Sequence, residues 1–294
     1  MSDLLAPFLA DQALRNLAPS TMRNLQQSVS NYLQWSENQG LDPAQADLRL
    51  YLKLLRDKRD SQATIRIIFS RLAVFFSYLE RENVIEKNPV PRLQQTYLND
   101  YKRPLKTRQA LTIEQASEMV SLTTRTRDKA ILMLLLKTGI RRNELINLDI
   151  DGLDIENMSL TLKETHKRSN RVVYFDKETA RILTRWLRMR EKKAKDGEKA
   201  LFLNLVGSRL DPVSINRIAR DAEARVNATG QKIRFHPHLG RYCFTTWLLD
   251  ANMPIRYLQW LRGDVIREAY AIYDTIRPED ARRSYLACIP QLGI

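Results

Sequence analysis

The chain has 294 residues, 44% hydrophobic and 28% charged, which is ample for packed cores and more length than one domain usually has. Its longest apolar stretch, residues 130–136, is too short to cross a bilayer, and its first residues lack the features of a signal peptide. Two cysteines without metal-ligand spacing and three histidines in all argue against a zinc site and suit a reducing compartment. We therefore expect a cytoplasmic protein of two domains.

The formal charge of +14 is concentrated in one part of the chain. The first 100 residues carry 12 Lys and Arg against 11 Asp and Glu, whereas residues 101–294 carry 36 against 23. A basic excess confined to one part suggests a polyanionic partner, and nucleic acid is the natural candidate because phosphate contacts dominate non-specific affinity. A solvated cationic surface has the same charge balance, so charge alone leaves the question open.

The first segment has the pattern of a small helical domain, which we place at residues 1–95. Ser20 is a candidate cap for a helix that runs to about residue 38, and Asp42-Pro43 opens a second helix. A third helix is predicted over 61–81, where apolar residues recur at helical spacing. No alternating strand pattern interrupts this region.

A basic stretch that contains proline follows, and we place an interdomain linker at residues 96–110. If DNA passes between two domains, such a linker lies along the DNA backbone. An ordinary exposed linker has the same composition. The candidate DNA-binding residues here are Lys102, Arg103, Lys106 and Arg108.

Residues 111–294 have the pattern of a helical second domain with one small sheet. Thr112 to Gln115 resembles a capping box at its first helix, and a core helix ends at Gly139. Two short strands are predicted at 158–164 and 170–175, joined by a turn. Further helices are predicted at about 177–195, 212–227, 239–251, 254–262, 265–273 and 278–287.

Polar groups at three places in this domain point to chemistry. Arg141 and Glu144 stand three residues apart, His238 and Arg241 stand three apart at the start of a predicted helix, and Tyr273 follows. Two arginines can hold the non-bridging oxygens of a phosphodiester while a phenol attacks and an imidazole handles protons, without a metal. Each group alone has an ordinary explanation, such as a surface ion pair or a packing tyrosine. Their combination indicates catalysis.

These segments resemble the tyrosine recombinases, also called phage-type integrases. Residues 138–145, Thr-Gly-Ile-Arg-Arg-Asn-Glu-Leu, are similar to that family's first arginine box, and residues 237–241, Pro-His-Leu-Gly-Arg, to its His-x-x-Arg box. Tyr273 matches the nucleophile in order and spacing, and the tail is most similar to archaeal members. The resemblance implies a mainly α protein. It combines an N-terminal helical core-binding domain of the SAM-like type with an α-helical catalytic domain that holds a small antiparallel sheet, the DNA breaking-rejoining fold.

The resemblance also implies the reaction. Tyr273 attacks DNA to form a covalent 3′-phosphotyrosyl intermediate, and religation to a partner strand completes recombination without metal, ATP or another cofactor. Strand exchange needs two duplexes, so a homotetramer assembled on two double-stranded DNA sites is expected. The tail from about residue 278 packs on a neighbouring subunit or on its own domain. No membrane and no small-molecule substrate are expected.

Three assignments have competitors. In the family a lysine of the β-hairpin protonates the leaving 5′ oxygen, and here Lys167 in the turn is preferred to Lys163. Tyr270, one helical turn before the expected nucleophile, is the second candidate for that role. Asp264 stands where the family usually has His or Trp. We expect it to orient Arg262 or to accept a hydrogen bond from the nucleophile rather than touch phosphate, because a carboxylate beside phosphate is unfavourable.

Two other functions use a similar set of residues. A type IB topoisomerase relaxes DNA by similar chemistry, although the separate N-terminal domain and the tail favour a recombinase. A DNA-binding relative that has lost catalysis is supported only by the departure at Asp264.

Overall fold

A computed structural model gives the fold of residues 2–99, 109–163, 171–264 and 276–294. The chain divides into two compact units, Met1–Thr107 and Arg108–Ile294, each with its own hydrophobic packing. Helices form most of the regular structure in these ranges, and the mainly α prediction is confirmed. None of the described helices is both long and apolar enough to span a membrane.

The first unit consists of helices whose inner faces carry aromatic rings. Tyr32, Phe69, Phe75 and Phe76 are at most 1% exposed. Phe8 packs edge-on against Phe75, with ring centroids 5.2 Å apart. The described residues of this unit contain no strand, as the sequence predicts. Its helices are α1 (Ser2–Ala13), α2 (Pro19–Asn38), α3 (Leu48–Asp57), α4 (Gln62–Arg81) and α5 (Val90–Tyr97).

Two helix starts in this unit were predicted wrongly. Helix α2 begins at Pro19 rather than after a Ser20 cap, because the fixed φ of proline suits the first helical turn and its missing N–H is not needed there. Helix α3 is capped by Asp47, whose carboxylate accepts a hydrogen bond from the Arg49 N–H, and does not open at Asp42-Pro43. The sequence predicts neither α1 nor α5, since each contains a proline, a residue typical of loops.

The second unit packs around α7, which is buried on all sides. Ile131, Leu132 and Leu135 are fully buried in its core. The capping box at Thr112 and Gln115 is confirmed, with both reciprocal hydrogen bonds present. Its helices are α6 (Ile113–Ser121), α7 (Thr126–Thr138), α8 (Arg142–Ile146), α9 (Lys177–Glu191), α10 (Pro212–Asn227), α11 (Pro237–Asp250), α12 (Ile255–Arg262) and α13 (Pro278–Cys288). The helix predicted at 265–273 lies outside the described residues.

A small antiparallel sheet separates α8 from α9 in the chain. Its strands are β1 (Leu153–Asp154), β2 (Ser159–Leu162) and β3 (Arg171–Tyr174), in the order β1-β2-β3. Leu160 pairs with Val173 and Leu162 pairs with Arg171, which places Arg171 at the first position of the returning strand. The two predicted strands correspond to β2 and β3, whereas β1 is too short for an alternating pattern.

The C-terminal segment packs on its own unit. Tyr285 of α13 is 1% exposed and donates a hydrogen bond to the Lys137 carbonyl oxygen at 2.9 Å. Leu292 is also buried, and its carbonyl oxygen accepts from Ser117 Oγ at 2.6 Å. These contacts fix the end of the chain against helices α6 and α7.

Candidate active site

Arg141 emerges from a sharp turn at the end of α7. Gly139 ends that helix with φ +60°, a conformation that L side chains rarely adopt. A Cβ at Gly139 would also lie 2.5 Å from the Phe244 ring, so both the backbone and the packing require glycine. Arg141 follows in extended conformation and is the N-cap residue of α8. Its side chain remains 31% exposed.

Glu144 receives hydrogen bonds from two arginines. Its carboxylate accepts from the Arg141 N–H at 2.7 Å and from Arg141 Nη1 at 3.2 Å. Arg171 of β3 adds a two-pronged contact, with Nη1 and Nη2 each 2.9 Å from one carboxylate oxygen. Burial raises the pKa of Glu144, but the hydrogen bonds from Arg171 and the Arg141 N–H outweigh it and lower that pKa below its ordinary value. Glu144 therefore stays ionised and orients Arg141.

Arg241 approaches the same place from α11. A Cβ at Gly240 would lie 2.9 Å from the Leu135 carbonyl oxygen, so this glycine permits close packing of α11 on α7. Arg241 is 3% exposed and donates to the Gly139 carbonyl at 2.8 Å and to the Arg262 carbonyl at 2.9 Å. Burial, with the nearby positive charges of Arg141 and Arg262, lowers the pKa of Arg241 to about 9. Arg241 is thus cationic at neutral pH.

Asp264 lies between three arginines. Its Oδ1 is 3.0 Å from Arg241 Nη2 and 3.9 Å from Arg141 Nη2, and its Oδ2 is 3.2 Å from Arg262 Nε. Gly263, with φ +60°, ends α12 and turns the chain so that Asp264 reaches this position. The ion pair between Asp264 and Arg262 is the contact that the predicted orienting role requires, and the role itself stays a prediction. Its contact with Arg241 was not expected from the sequence.

His238 lies in the first turn of α11, exposed and three residues before Arg241. The helix is capped by His236, whose Nδ1 accepts a hydrogen bond from the Leu239 N–H at 3.2 Å. A helix N-terminus favours anions, because its free N–H groups and its dipole are both directed outward. His238 thus occupies a position suited to a group that binds beside phosphate.

Among the residues that the structure describes, four guanidinium groups and two carboxylates meet at this site. Four positive charges against two negative ones favour the binding of an anion, and guanidinium forks match phosphate oxygens in geometry. We call this group the arginine cluster: Arg141, Arg171, Arg241, Arg262, Glu144 and Asp264.

Lys163, the less favoured candidate for the general acid, is engaged elsewhere. It directly follows β2, and its ammonium pairs with Asp149, which also pairs with Arg209. The Asp149 carboxylate raises the pKa of Lys163, so this lysine releases its proton less readily than an ordinary one. Several other candidates lie outside the described residues: Lys167, Tyr270, Tyr273, Lys102, Arg103, Lys106 and Arg108.

Sequence reasoning missed Arg171. Its partner Glu144 is 27 residues away in the chain, beyond the reach of helical or strand periodicity. The sequence offered one signal, a charged residue near the start of a short predicted strand, and such a position usually holds a solvated side chain.

Two family profiles match the chain and together cover most of it. The profile described as the phage integrase family matches residues 104–276. The profile described as the N-terminal SAM-like domain of phage integrases matches residues 8–83. The SAM-like prediction for the first domain is therefore confirmed, and the matched regions include all the boxes identified in the sequence.

Individual relatives agree with these profiles. The chain is 29% identical over 258 residues to tyrosine recombinase XerC of Alcanivorax borkumensis, covering 85% of this chain and 81% of that protein. It is 25% identical over 285 residues to tyrosine recombinase XerA of Pyrococcus horikoshii, covering 96% and 92%. Among solved structures, the Tn1549 transposon integrase in complex with transposon right end DNA is similar, with a TM-score of 0.73 and 20% identity. That likeness covers 96% of this chain and 98% of the other and shows a shared fold.

Proposed function

This chain belongs to the phage integrase family, and on that basis we propose that Arg141 and Arg241 of the arginine cluster bind the scissile phosphate of a double-stranded DNA site while Tyr273 attacks it. The protein is a tyrosine recombinase, an enzyme that cleaves and rejoins DNA at specific sites. The type IB topoisomerase alternative is not favoured, because relatives matched over most of their length are recombinases.

The observation that carries the proposal is the position of one oxygen atom. Asp264 Oδ1 lies 3.0 Å from Arg241 Nη2 and 3.9 Å from Arg141 Nη2. A single anionic oxygen thus fits between the two arginines that the sequence selects. A non-bridging phosphate oxygen has similar size and charge and can be held by the same pair. Such preorganised donors stabilise the charge that develops in the transition state.

The reaction follows from these groups. The Tyr273 hydroxyl loses its proton and its oxygen bonds to phosphorus, while the bond from phosphorus to the 5′ oxygen breaks. Lys167 donates a proton to that leaving oxygen, and His238 accepts the proton that the Tyr273 hydroxyl loses. The 3′-phosphotyrosyl bond conserves the phosphodiester energy, so a free 5′ hydroxyl of a partner strand can attack it and release Tyr273.

The supporting residues divide into orienting and binding roles. Glu144 orients Arg141, and Asp264 keeps Arg241 and Arg262 in place until DNA arrives. The basic linker residues contact the DNA backbone and supply affinity without sequence information. They are Lys102, Arg103, Lys106 and Arg108.

The proposed function also requires both domains and an assembly of several subunits on DNA. The helical domain at 1–95 and the catalytic domain at 111–294 both bind one DNA site, joined by the linker at 96–110. Exchange between two sites requires four catalytic domains, so the active species is a homotetramer assembled on DNA in the cytoplasm. The Tn1549 integrase, a protein of the same fold, has been solved with DNA bound.

The test is the formation of a covalent adduct. The protein first selects its site from a randomised duplex pool, and that site is then synthesised with a nick that lets the cleaved strand diffuse away. We expect a protein–DNA adduct that survives denaturant and that Tyr273→Phe abolishes. Tyr270→Phe is the matched control and keeps the adduct. Loss of the adduct in Tyr270→Phe alone would identify Tyr270 as the nucleophile. If wild-type protein forms no adduct, the catalytic proposal is refuted.

A further inference from the structure

After Arg241, Arg171 is the least exposed arginine of the arginine cluster, and its guanidinium is held by hydrogen bonds to protein atoms. Its side chain is 9% exposed, against 31% for Arg141. Nη1 and Nη2 each donate to one oxygen of Glu144 at 2.9 Å, and Nε donates to the Leu261 carbonyl oxygen at 3.2 Å. All three nitrogens therefore bind protein atoms, which leaves little of this group for direct contact with DNA.

The same side chain lies against the turn that follows α12. A Cβ placed on Gly263 would be 2.9 Å from Arg171 Cδ and 3.0 Å from its Nε. The backbone of Gly263 can approach this closely only because the residue has no side chain. One arginine on β3 thus joins the short helix α8, through Glu144, to the end of α12, through Leu261 and Gly263.

We propose that Arg171 is a positioning residue for DNA cleavage, a role that rests on the proposed recombinase function. It acts on one side through Glu144. Arg171 donates to both carboxylate oxygens of Glu144, and Glu144 accepts a hydrogen bond from only one side-chain nitrogen of Arg141, Nη1. The second terminal nitrogen of Arg141 is thereby left directed at the phosphate position, which Asp264 Oδ1 marks at 3.9 Å.

On the other side Arg171 acts through the turn after α12. The Arg262 carbonyl oxygen in that turn accepts a hydrogen bond from Arg241 at 2.9 Å, and Asp264 pairs with Arg241 at 3.0 Å. By fixing this turn, Arg171 fixes two of the acceptors that orient Arg241. Both phosphate-binding arginines therefore depend on one side chain that does not itself reach the phosphate.

The test uses the Arg171→Lys variant in the full-length protein. Lysine keeps the positive charge but loses the planar fork, so Glu144 loses its two-pronged partner. We expect the single-turnover rate of adduct formation on the nicked site to fall about 10- to 100-fold, as for a displacement of catalytic groups by roughly 1 Å. The Kd for the uncleaved site should stay within about threefold of wild type, because all three guanidinium nitrogens of Arg171 already donate to protein atoms.

A matched control is Arg190→Lys. Arg190 of α9 is 6% exposed and donates to the Ala200 carbonyl at 2.7 Å and to the Glu198 carbonyl at 2.6 Å, away from the arginine cluster. This variant should lose thermal stability without losing the cleavage rate per folded molecule. If Arg171→Lys behaves in the same way, its role is structural and the inference is wrong.

A double-mutant cycle with Glu144→Gln tests whether Arg171 acts through Glu144 or independently of it. If Arg171 acts through Glu144, the double variant should cleave within about threefold of the slower single variant, because coupled residues are not additive. Multiplied rate losses would contradict the inference. Wild-type protein that forms no adduct would instead refute the proposed function, so the two failures are distinguishable.

Discussion

Two charged clusters in the second unit use similar side chains but differ in how their charges are balanced. In the first, which we call the lysine cluster, Lys137 Nζ lies 2.6 Å from Asp176 and 3.1 Å from Glu178, and all three side chains are at most 5% exposed. In the arginine cluster, Arg141 is 31% exposed and Asp264 is 27% exposed. The first cluster is closed to solvent and the second is open.

The end of the chain supplies further hydrogen-bond partners to Lys137 and Glu178 of the lysine cluster. Lys137 also donates to the Pro290 carbonyl oxygen. The Glu178 carboxylate accepts from the backbone N–H groups of Leu292 at 2.8 Å, Gly293 at 2.6 Å and Ile294 at 3.1 Å. The backbone donors take the place of a second cation, so the cluster is complete without a ligand.

The difference is the one expected between a structural charge network and a network that binds a ligand. A buried network in which each group has partners fixes one arrangement of the chain, and removal of one member leaves an uncompensated charge. A network with surplus cations and partial exposure keeps binding capacity for an anion from outside. Surplus charge and access, rather than buried charge as such, mark the arginine cluster as the candidate active site.

The strongest test of this comparison is Lys137→Met in the closed cluster. This change leaves the Asp176 and Glu178 carboxylates buried without their cation, so we expect the free energy of unfolding to fall by about 3–5 kcal/mol. The rate of adduct formation per folded molecule should change little, because Lys137 does not contact the arginine cluster. Urea denaturation and single-turnover cleavage, both well below the melting temperature, provide the two measurements.

A neutral version of the lysine cluster is the control for that prediction. The triple variant Lys137→Met, Asp176→Asn, Glu178→Gln removes all the charges together, and we expect it to recover part of the lost stability. If the triple variant is less stable than Lys137→Met alone, the loss comes from packing around the lysine stem and not from unpaired carboxylates.

The matching change in the open cluster is Arg141→Ala. It removes one of the donors that face the developing negative charge, so the rate of adduct formation should fall on the order of 10²–10³-fold, or about 2.7–4 kcal/mol. Stability should fall by less than about 1 kcal/mol, because the side chain is partly exposed and its pair with Glu144 is screened by solvent. Rapid-quench cleavage and urea denaturation of the same preparation measure both effects.

We expect opposite results from the two variants: Lys137→Met should lose stability and keep the cleavage rate, whereas Arg141→Ala should keep stability and lose the cleavage rate. A large stability loss in Arg141→Ala with an unchanged cleavage rate would place Arg141 among the structural charges. It would remove the distinction between the clusters.

The sequence predicted the parts of the site that depend on local spacing. Arg141 with Glu144 and His238 with Arg241 are i, i+3 pairs, and both pairs stand beside a glycine that the turn or the packing requires. The helices α9 to α13 also follow from periodicity. Their termini lie within four residues of the predicted bounds, because capping and proline signals are local.

Features that depend on tertiary pairing were not predictable in this way. Arg171 and Glu144 are 27 residues apart, and Lys137 and Glu178 are 41 apart. Lys137 stands at the end of an apolar helix, where a lysine commonly reaches solvent, yet it is fully buried. The contact of Asp264 with Arg241 likewise requires the positions of two helices that sequence spacing does not supply.

The smallest predicted effect is a change in pH dependence. Burial raises the pKa of Glu178, but hydrogen bonds from the Leu292 N–H and from Lys137 outweigh it and hold that pKa below its ordinary value of 4.5. A carboxylate with a lowered folded-state pKa contributes stability above its unfolded pKa, and this contribution disappears as pH falls through the folded pKa. Glu178→Gln should therefore weaken the loss of stability below pH 4.5, measured as urea midpoints across the acid range.

Glu144→Gln sharpens the contrast, because the pKa of Glu144 is lowered in the same direction by Arg171 and the Arg141 N–H despite its burial. Both variants should flatten the acid branch of the stability curve, since each removes one proton-linked carboxylate. Only Glu144→Gln should also slow adduct formation at neutral pH, because Glu144 orients Arg141 whereas Glu178 holds the end of the chain. Equal cleavage losses in the two variants would mean that the lysine cluster also helps to position the arginine cluster. The connection would run through α7, which contains Lys137 and ends shortly before Arg141.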